Sequence, residues 1–275
     1  MVRGRISLPP TALLALFFLF LLGEGCSLPR YYNDYDSRFA WRDEFHLLSP
    51  ADLSPVLDEE YSFLVVSDPH ISDRSSMEGF EKLRDHIAGA QFVVVTGDVT
   101  QNGSIPELQL FMAAARKLGV PCYPVIGNHD IYTNRGTPWR EYIGSTIYRI
   151  DSSSGNTTLF LLDNANASFG NDQLEWLEAG MRTAKKNTFV FCHDNFFMEA
   201  SPPDVEQITD IRERARIMAL LRGRCDMLFM GHLHKRIIRE YGGLTYMVLE
   251  DYSSTKTWCR VRVTKGGISW EFETL

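Results

Sequence analysis

The chain has 275 residues, of which 44% are hydrophobic and 23% are charged, as in a globular protein with one large domain or two small ones. Its formal net charge is −7. That charge argues against sequence-independent binding of nucleic-acid phosphates, which requires clustered Lys and Arg, so we expect no nucleic-acid partner. A small anionic substrate held by metal ions is compatible with the same charge.

The first 26 residues have the pattern of an export signal. Arg3 and Arg5 precede a 12-residue apolar core, which is short for a spanning helix of about 20 residues. The stretch LLGEGC ends at Cys26 and resembles a bacterial lipoprotein cleavage site, although its Gly23 and Glu24 depart from that pattern. We therefore expect export to the periplasm or cell surface. Ordinary secretion and a lipid on Cys26, which would associate the protein with a membrane, remain alternatives, as does an uncleaved anchor.

Residues 27–57 are rich in Tyr, Asp, Ser and Pro and show no sustained periodicity. This composition predicts a tether or linker, from which aromatic side chains such as Trp41 pack on the domain that follows. That domain is predicted to occupy residues 58–275. Four cysteines fall within it without C-x-x-C spacing, which favours small buried apolar residues over disulfides. They are Cys122, Cys192, Cys225 and Cys259.

Regular structure is predicted from residue 61, where a continuous apolar run is typical of a strand buried on both faces. Strands and helices then alternate, and the tail is rich in strands. This order predicts an α/β fold, a four-layer αββα sandwich with two stacked mixed β-sheets flanked by helices. Strands are predicted at 61–67, 91–96, 120–127, 157–163, 187–193 and 225–231, helices at 77–88, 105–119, 171–184 and 205–221, and tail strands at RIIREY, LTYMVLE, CRVRVT and ISWEFE.

Polar clusters follow five of these strands at the point where each strand ends. In open α/β sheets, sites form outside the carboxyl ends of the strands. Each cluster alone has an ordinary explanation as turn or capping residues, but five of them in order predict one shared site. They contain five of the seven histidines of the chain. The clusters are SDPH (67–70), TGDVTQNG (96–103), IGNHD (126–130), FCHDN (191–195) and MGHLH (230–234).

The order of these residues resembles the calcineurin-like metallophosphoesterase superfamily over about residues 60–250. The family motifs D-x-H, G-D, G-N-H-D, a lone His and G-H-x-H are found at 68–70, 97–98, 127–130, 193 and 231–234. The chain is most similar to the compact branch that includes class III cyclic-nucleotide phosphodiesterases. Gln101 stands where purple acid phosphatases have a tyrosine ligand, and Asn195 replaces a proline that is common in the compact branch.

The resemblance implies two divalent metal ions, Mn, Fe or Zn, that share one carboxylate. Carboxylate, imidazole and amide ligands suit these ions. The implied ligands are Asp68, His70 and His234 for the first ion, Asn128, His193 and His232 for the second, and Asp98 for both.

The activity implied by the resemblance is hydrolysis of a small phosphate ester by a metal-bridging hydroxide, and we expect a phosphodiester. Asp98 and His129 are the predicted catalytic residues, with His129 either hydrogen-bonding the phosphoryl group or protonating the leaving oxygen. Asp130 either orients His129 or forms a turn. A phosphomonoesterase with the same site, and a catalytically silent surface binding or scaffold protein, are the alternatives. The loop predicted at 132–151 offers Arg135 and Arg140 as candidate anion contacts or solvated charges.

Overall fold

The computed structural model describes residues 38–195 and 210–275. The predicted signal, the start of the predicted tether and the first residues of the predicted helix 205–221 lie outside these ranges. Within them, no helix is both long and apolar enough to cross a membrane. In chain order the elements are β1 (Tyr61–Val66), α1 (Arg74–Glu81), β2 (Ala90–Thr96), α2 (Ile105–Lys117), β3 (Cys122–Val125), α3 (Thr137–Tyr142), β4 (Tyr148–Asp151), β5 (Thr157–Leu161), α4 (Asn171–Met181), β6 (Asn187–Phe191), α5 (Ile211–Leu221), β7 (Met227–Met230), β8 (Ile237–Tyr241), β9 (Leu244–Val248), α6 (Tyr252–Thr255), β10 (Thr257–Thr264) and β11 (Gly267–Thr274).

The strands form two mixed sheets. The first has the order β11-β10-β1-β2-β3, in which β1, β2 and β3 are parallel to one another. The tail strand β10 is antiparallel to both of its neighbours, β1 and β11. The second has the order β4-β5-β6-β7-β9-β8, with β5, β6, β7 and β9 parallel and β4 and β8 antiparallel at the edges. Parallel central strands therefore bring several strand ends to one edge of each sheet.

Apolar side chains fill the space between the sheets and cover both outer faces. Phe63 of the first sheet and Phe189 of the second pack edge to face, with ring centroids 5.1 Å apart. Helices α1 and α2 cover the outer face of the first sheet, and α4 and α5 cover the second. This confirms the predicted four-layer αββα sandwich. The four cysteines within the described residues are buried and free, as predicted.

Two segments differ from the prediction. Helix α1 begins at Arg74, because the Asp73 side chain caps it by accepting from the Ser76 amide, and it passes into a 3₁₀ helix, Lys82–His86. The prediction of a loop at 132–151 was wrong, since this stretch contains α3 and β4. The Trp139 side chain anchors α3 in the core, and Arg140 pairs with the Glu44 carboxylate at 2.6 Å.

The described part of the predicted tether, 38–57, packs on the sandwich. The Trp41 and Leu57 side chains are buried, and the Tyr123 hydroxyl donates to the Asp52 carbonyl at 2.6 Å. The Arg38 guanidinium is buried as well and contacts Asp163. These residues therefore belong to the folded structure.

Candidate metal centre

The five polar clusters converge where the carboxyl ends of β1, β2 and β3 face those of β6 and β7. Each cluster supplies side chains to one site, as the positions of the strand ends predict. Most of these side chains are buried, His129 and His232 are partly buried, and His234 is the most exposed. The structure brings together all eight predicted site residues: Asp68, His70, Asp98, Asn128, His129, His193, His232 and His234.

The first cluster consists of Asp68, His70 and His234. The His234 Nε2 atom lies 3.3 Å from Asp68 Oδ1 and 3.3 Å from His70 Nε2. The His70 Nε2 atom lies 3.9 Å from Asp68 Oδ1. Burial lowers the pKa of His70, despite the opposing charges of Asp98 and Asp68, whereas the hydrogen bond to Asp68 raises the pKa of His234. Nearly half of the His234 side chain is exposed, so this cluster is open on one side.

The second cluster consists of Asn128, His193 and His232. Its centre is the amide oxygen of Asn128, which lies 3.0 Å from His193 Nε2 and 3.0 Å from His232 Nδ1. The His193 Nδ1–H donates to the Thr96 carbonyl at 2.8 Å, which leaves Nε2 as the atom that faces the cluster. The His232 amide donates to the Asp68 carboxylate at 3.2 Å and so connects the two clusters.

Asp98 lies between the two clusters. Its Oδ2 atom is 3.2 Å from His193 Nε2 and 3.8 Å from His70 Nε2, while its Oδ1 accepts from the His129 amide at 2.9 Å. Burial alone would raise the pKa of this carboxyl, but His193 and the neighbouring imidazoles hold it well below its usual range. Burial would likewise lower the pKa of His193, and Asp98 raises it. One carboxylate oxygen therefore lies within 4 Å of an imidazole nitrogen from each cluster.

The backbone at the site adopts an unusual conformation. Five of the predicted ligands have positive φ, a region that non-glycine residues rarely occupy and that commonly marks functional sites. The motif glycines allow close packing there. A Cβ atom on Gly231 would lie 2.6 Å from Asp68 Oδ2, and one on Gly127 would collide with the Asp98 carboxylate. The five residues are Asp68 (φ 51°), His70 (45°), Asp98 (48°), His232 (69°) and His234 (52°).

His129 faces the same site with its Nε2 atom. Its Nδ1–H donates to the Gln101 carbonyl at 2.7 Å, and Nε2 lies 4.0 Å from Asp98 Oδ2. The orienting residue is thus Gln101 rather than Asp130. The Asp130 carboxylate is buried and accepts from the Gly127 amide at 2.9 Å and from Thr100, which assigns it to the turn. Burial, and then the charge of Asp98, raise the pKa of Asp130 to about 7.

Three polar residues next to the site were not predicted. Tyr132 accepts from Asn128 Nδ2 at 3.0 Å and its ring packs on His129, with centroids 4.6 Å apart. The Asn164 amide oxygen accepts from the backbone of His193 and Asp194 at 2.9 and 3.0 Å. Asp194 directly follows His193 in the FCHDN cluster, and this position was the one sequence feature that could have indicated a role at the site.

The spacing of the side-chain atoms fits metal binding. Two atoms that bind one ion at about 2.1 Å each cannot lie more than about 4.2 Å apart. In the first cluster with Asp98, the four distances above lie between 3.3 and 3.9 Å. In the second cluster with Asp98, the three distances lie between 3.0 and 3.2 Å. Both clusters could therefore hold a divalent ion.

Comparison with known proteins agrees with this geometry. The calcineurin-like phosphoesterase family matches residues 61–236, more than half of the chain. A protein named probable glycerophosphodiester phosphodiesterase, from Arcobacter nitrofigilis, is 26% identical over 210 residues, covering 62% of this chain and 70% of the relative. A protein named probable cyclic nucleotide phosphodiesterase, from Fibrobacter succinogenes, is 22% identical over 193 residues, covering 62% and 72%.

A solved structure shows the same fold. It is a dimetal phosphatase from Danio rerio, which superposes with a TM-score of 0.59 at 15% identity and covers 78% of this chain and 98% of its own. The motifs, the sandwich and the family match agree on a metal-using hydrolase. The chain belongs to the calcineurin-like phosphoesterase family.

Proposed function

We propose that the protein is a phosphodiesterase with a binuclear divalent metal centre. The observation that carries this proposal is the position of Asp98 Oδ2, which lies within 4 Å of a ligand nitrogen from each cluster. An oxygen in this position could be shared by two ions that lie about 3.5–4 Å apart. The phosphodiesterase names of the two curated relatives support a diester as the substrate.

The residues that would hold the ions are those of the two clusters. Asp68, His70 and His234 would bind the first ion, and Asn128, His193 and His232 the second, with Asp98 shared. When bound, the two ions would activate a hydroxide nucleophile and neutralise charge on the phosphoryl oxygens. Mn, Fe and Zn all suit these ligand types.

His129 is the residue best placed to act on the substrate directly. Its side chain is 25% exposed, and the Gln101 carbonyl fixes its tautomer so that Nε2 faces the site. In the imidazolium form, which carries a proton on both ring nitrogens, Nε2–H would donate a hydrogen bond to a phosphoryl oxygen or a proton to the leaving oxygen. Acid catalysis of this kind contributes roughly 10²–10⁴ in rate.

Location and partners complete the proposal. The export pattern of residues 1–26 supports a periplasmic or cell-surface enzyme, and Cys26 is a candidate site for a lipid that would associate it with a membrane. An exported enzyme would meet small extracellular phosphate esters, and the net charge of −7 does not favour a nucleic-acid partner. Mass spectrometry of the membrane fraction would detect the lipid.

The test compares diester with monoester hydrolysis. The mature protein is assayed with Mn²⁺ on bis-p-nitrophenyl phosphate and on p-nitrophenyl phosphate, and we expect higher kcat/KM on the diester. Faster monoester turnover would indicate a phosphomonoesterase with the same site. Turnover of neither compound, together with the absence of bound metal, would indicate a scaffold protein and contradict the proposal.

A further inference from the structure

We propose that Asp194 is an additional ligand of the metal ion held by Asn128, His193 and His232, an inference that rests on the proposed binuclear centre. The residue follows His193 directly in the chain, at the end of β6. Nothing in the family motifs requires a carboxylate at this position. Its side chain is completely buried, which is unusual for a carboxylate.

The orientation of Asp194 is set by its neighbours. One carboxylate oxygen, Oδ2, accepts from the Ala167 amide at 3.0 Å. The backbone is held on both sides by Asn164, which accepts from the Asp194 amide at 3.0 Å and donates to the Asp194 carbonyl at 2.8 Å. The carboxylate is therefore held in a single orientation by a preformed loop.

The other oxygen, Oδ1, is directed at the second cluster. It lies 3.7 Å from His232 Nδ1 and 4.0 Å from His193 Nε2, the two nitrogen atoms that face Asn128. Both distances are below the limit of about 4.2 Å for atoms that share an ion. Asp194 Oδ1 therefore meets the distance criterion for sharing an ion with both imidazoles of the second cluster.

An added carboxylate changes the chemistry of this ion site. With Asp98 and Asn128, Asp194 would provide a third oxygen ligand beside two imidazoles, and a second negative charge. Oxygen-rich, anionic sites favour harder ions such as Mn²⁺ over ions that prefer nitrogen and sulfur. We therefore expect Asp194 to increase the affinity of this site and to shift its preference toward Mn²⁺.

The test is a metal titration of the Asp194→Asn variant. Metal is removed from the full chain with a chelator, and Mn²⁺ is titrated back while calorimetry and electron paramagnetic resonance of free Mn²⁺ report the two affinities. Asparagine has the same shape and can still accept from Ala167. We expect one affinity to fall by more than the roughly 10–100-fold that loss of an outer-shell partner causes, while the other stays within about threefold.

The matched control is Asp226→Asn, which removes a half-buried carboxylate that accepts from the Thr188 amide. It should leave both affinities within about threefold of wild type. Asp194→Ser, with a smaller polar side chain, provides a second variant in case asparagine perturbs folding, and thermal unfolding of the metal-free proteins checks this. Two unchanged affinities in both Asp194 variants would overturn the inference. Wild-type protein that binds fewer than two ions would instead overturn the proposed function.

Discussion

The two clusters differ in how firmly the protein holds them. In the second cluster His193 is fully buried and donates to the Thr96 carbonyl, and Asn128 is tied to Tyr132. In the first cluster 45% of the His234 side chain is exposed, and its Nδ1 atom lies 3.9 Å from the Asp251 carboxylate, too far for a hydrogen bond. The same fold thus provides one enclosed, preorganised set of ligands and one open set.

This difference predicts that the two clusters differ in metal affinity and in access for the substrate. Ligands held by outer-shell hydrogen bonds lose less conformational freedom when a metal binds, so we expect the second cluster to bind its ion more tightly. At the first cluster, with its exposed histidine, we expect the ion to exchange more readily and a substrate oxygen to have access. The following predictions test this contrast.

The largest effect is expected from Asp98→Ala, which removes the oxygen common to both clusters. We expect loss of both tightly bound ions and a fall in diester kcat/KM of about 10³-fold or more, because metal activation supplies several kcal/mol. Metal analysis and steady-state kinetics measure both. The control is Asp85→Ala, which removes an exposed carboxylate that pairs with exposed Arg84. Full activity in Asp98→Ala would contradict the shared-carboxylate account.

A large stability effect is expected from Arg38→Ala. The buried Arg38 guanidinium binds both oxygens of Asp163 at 2.6 and 3.0 Å, and Asp163 precedes Asn164, which supports the second cluster. Breaking a buried pair leaves an uncompensated charge, at a cost of about 3–5 kcal/mol in the free energy of unfolding. Chemical denaturation measures this cost.

The matched control for that prediction is Arg182→Ala, which breaks an exposed pair with Glu178 one helical turn away. It should cost about 0.3–0.5 kcal/mol. A similar loss in the two variants would show that residue 38 does not support the sandwich as described.

A smaller effect is expected from Tyr132→Phe. This change removes the hydroxyl that accepts from Asn128 Nδ2 but keeps the ring on His129. Loss of one hydrogen bond of about 0.5–1.5 kcal/mol corresponds to roughly two- to tenfold weaker metal binding at the second cluster. Calorimetry measures the affinity, and Tyr241→Phe, at an exposed tyrosine, is the control. An effect confined to the first cluster would contradict the assignment of Asn128 to the second cluster.

The smallest expected effect is the change of metal affinity with pH. The pKa values of His193 and His234 are raised in the metal-free protein, by Asp98 and Asp68 respectively, so both imidazoles keep their protons to higher pH. A metal ion needs the neutral imidazole, and binding must release these protons. Metal affinity should therefore rise with pH until both imidazoles have lost their protons. Calorimetry at about pH 6 and about pH 8 checks the sign, and an affinity that falls with pH would contradict it.

The sequence was informative about the site because its chemistry lies in short strand-end motifs. Pairs such as Asp68 and His70 are local in the chain, and parallel strands place their ends together. The partners of those ligands are not local. His193 reaches the Thr96 carbonyl across 97 positions, and Arg38 meets Asp163 across 125 positions. Such contacts depend on tertiary packing, for which no periodicity or motif gives a signal.

The binuclear centre can be tested most directly by anomalous X-ray diffraction from crystals grown with Mn²⁺. The account predicts two anomalous peaks about 3.5–4 Å apart, one at each cluster, with the Asp98 carboxylate between them. A single peak, or peaks away from Asp98, would contradict it.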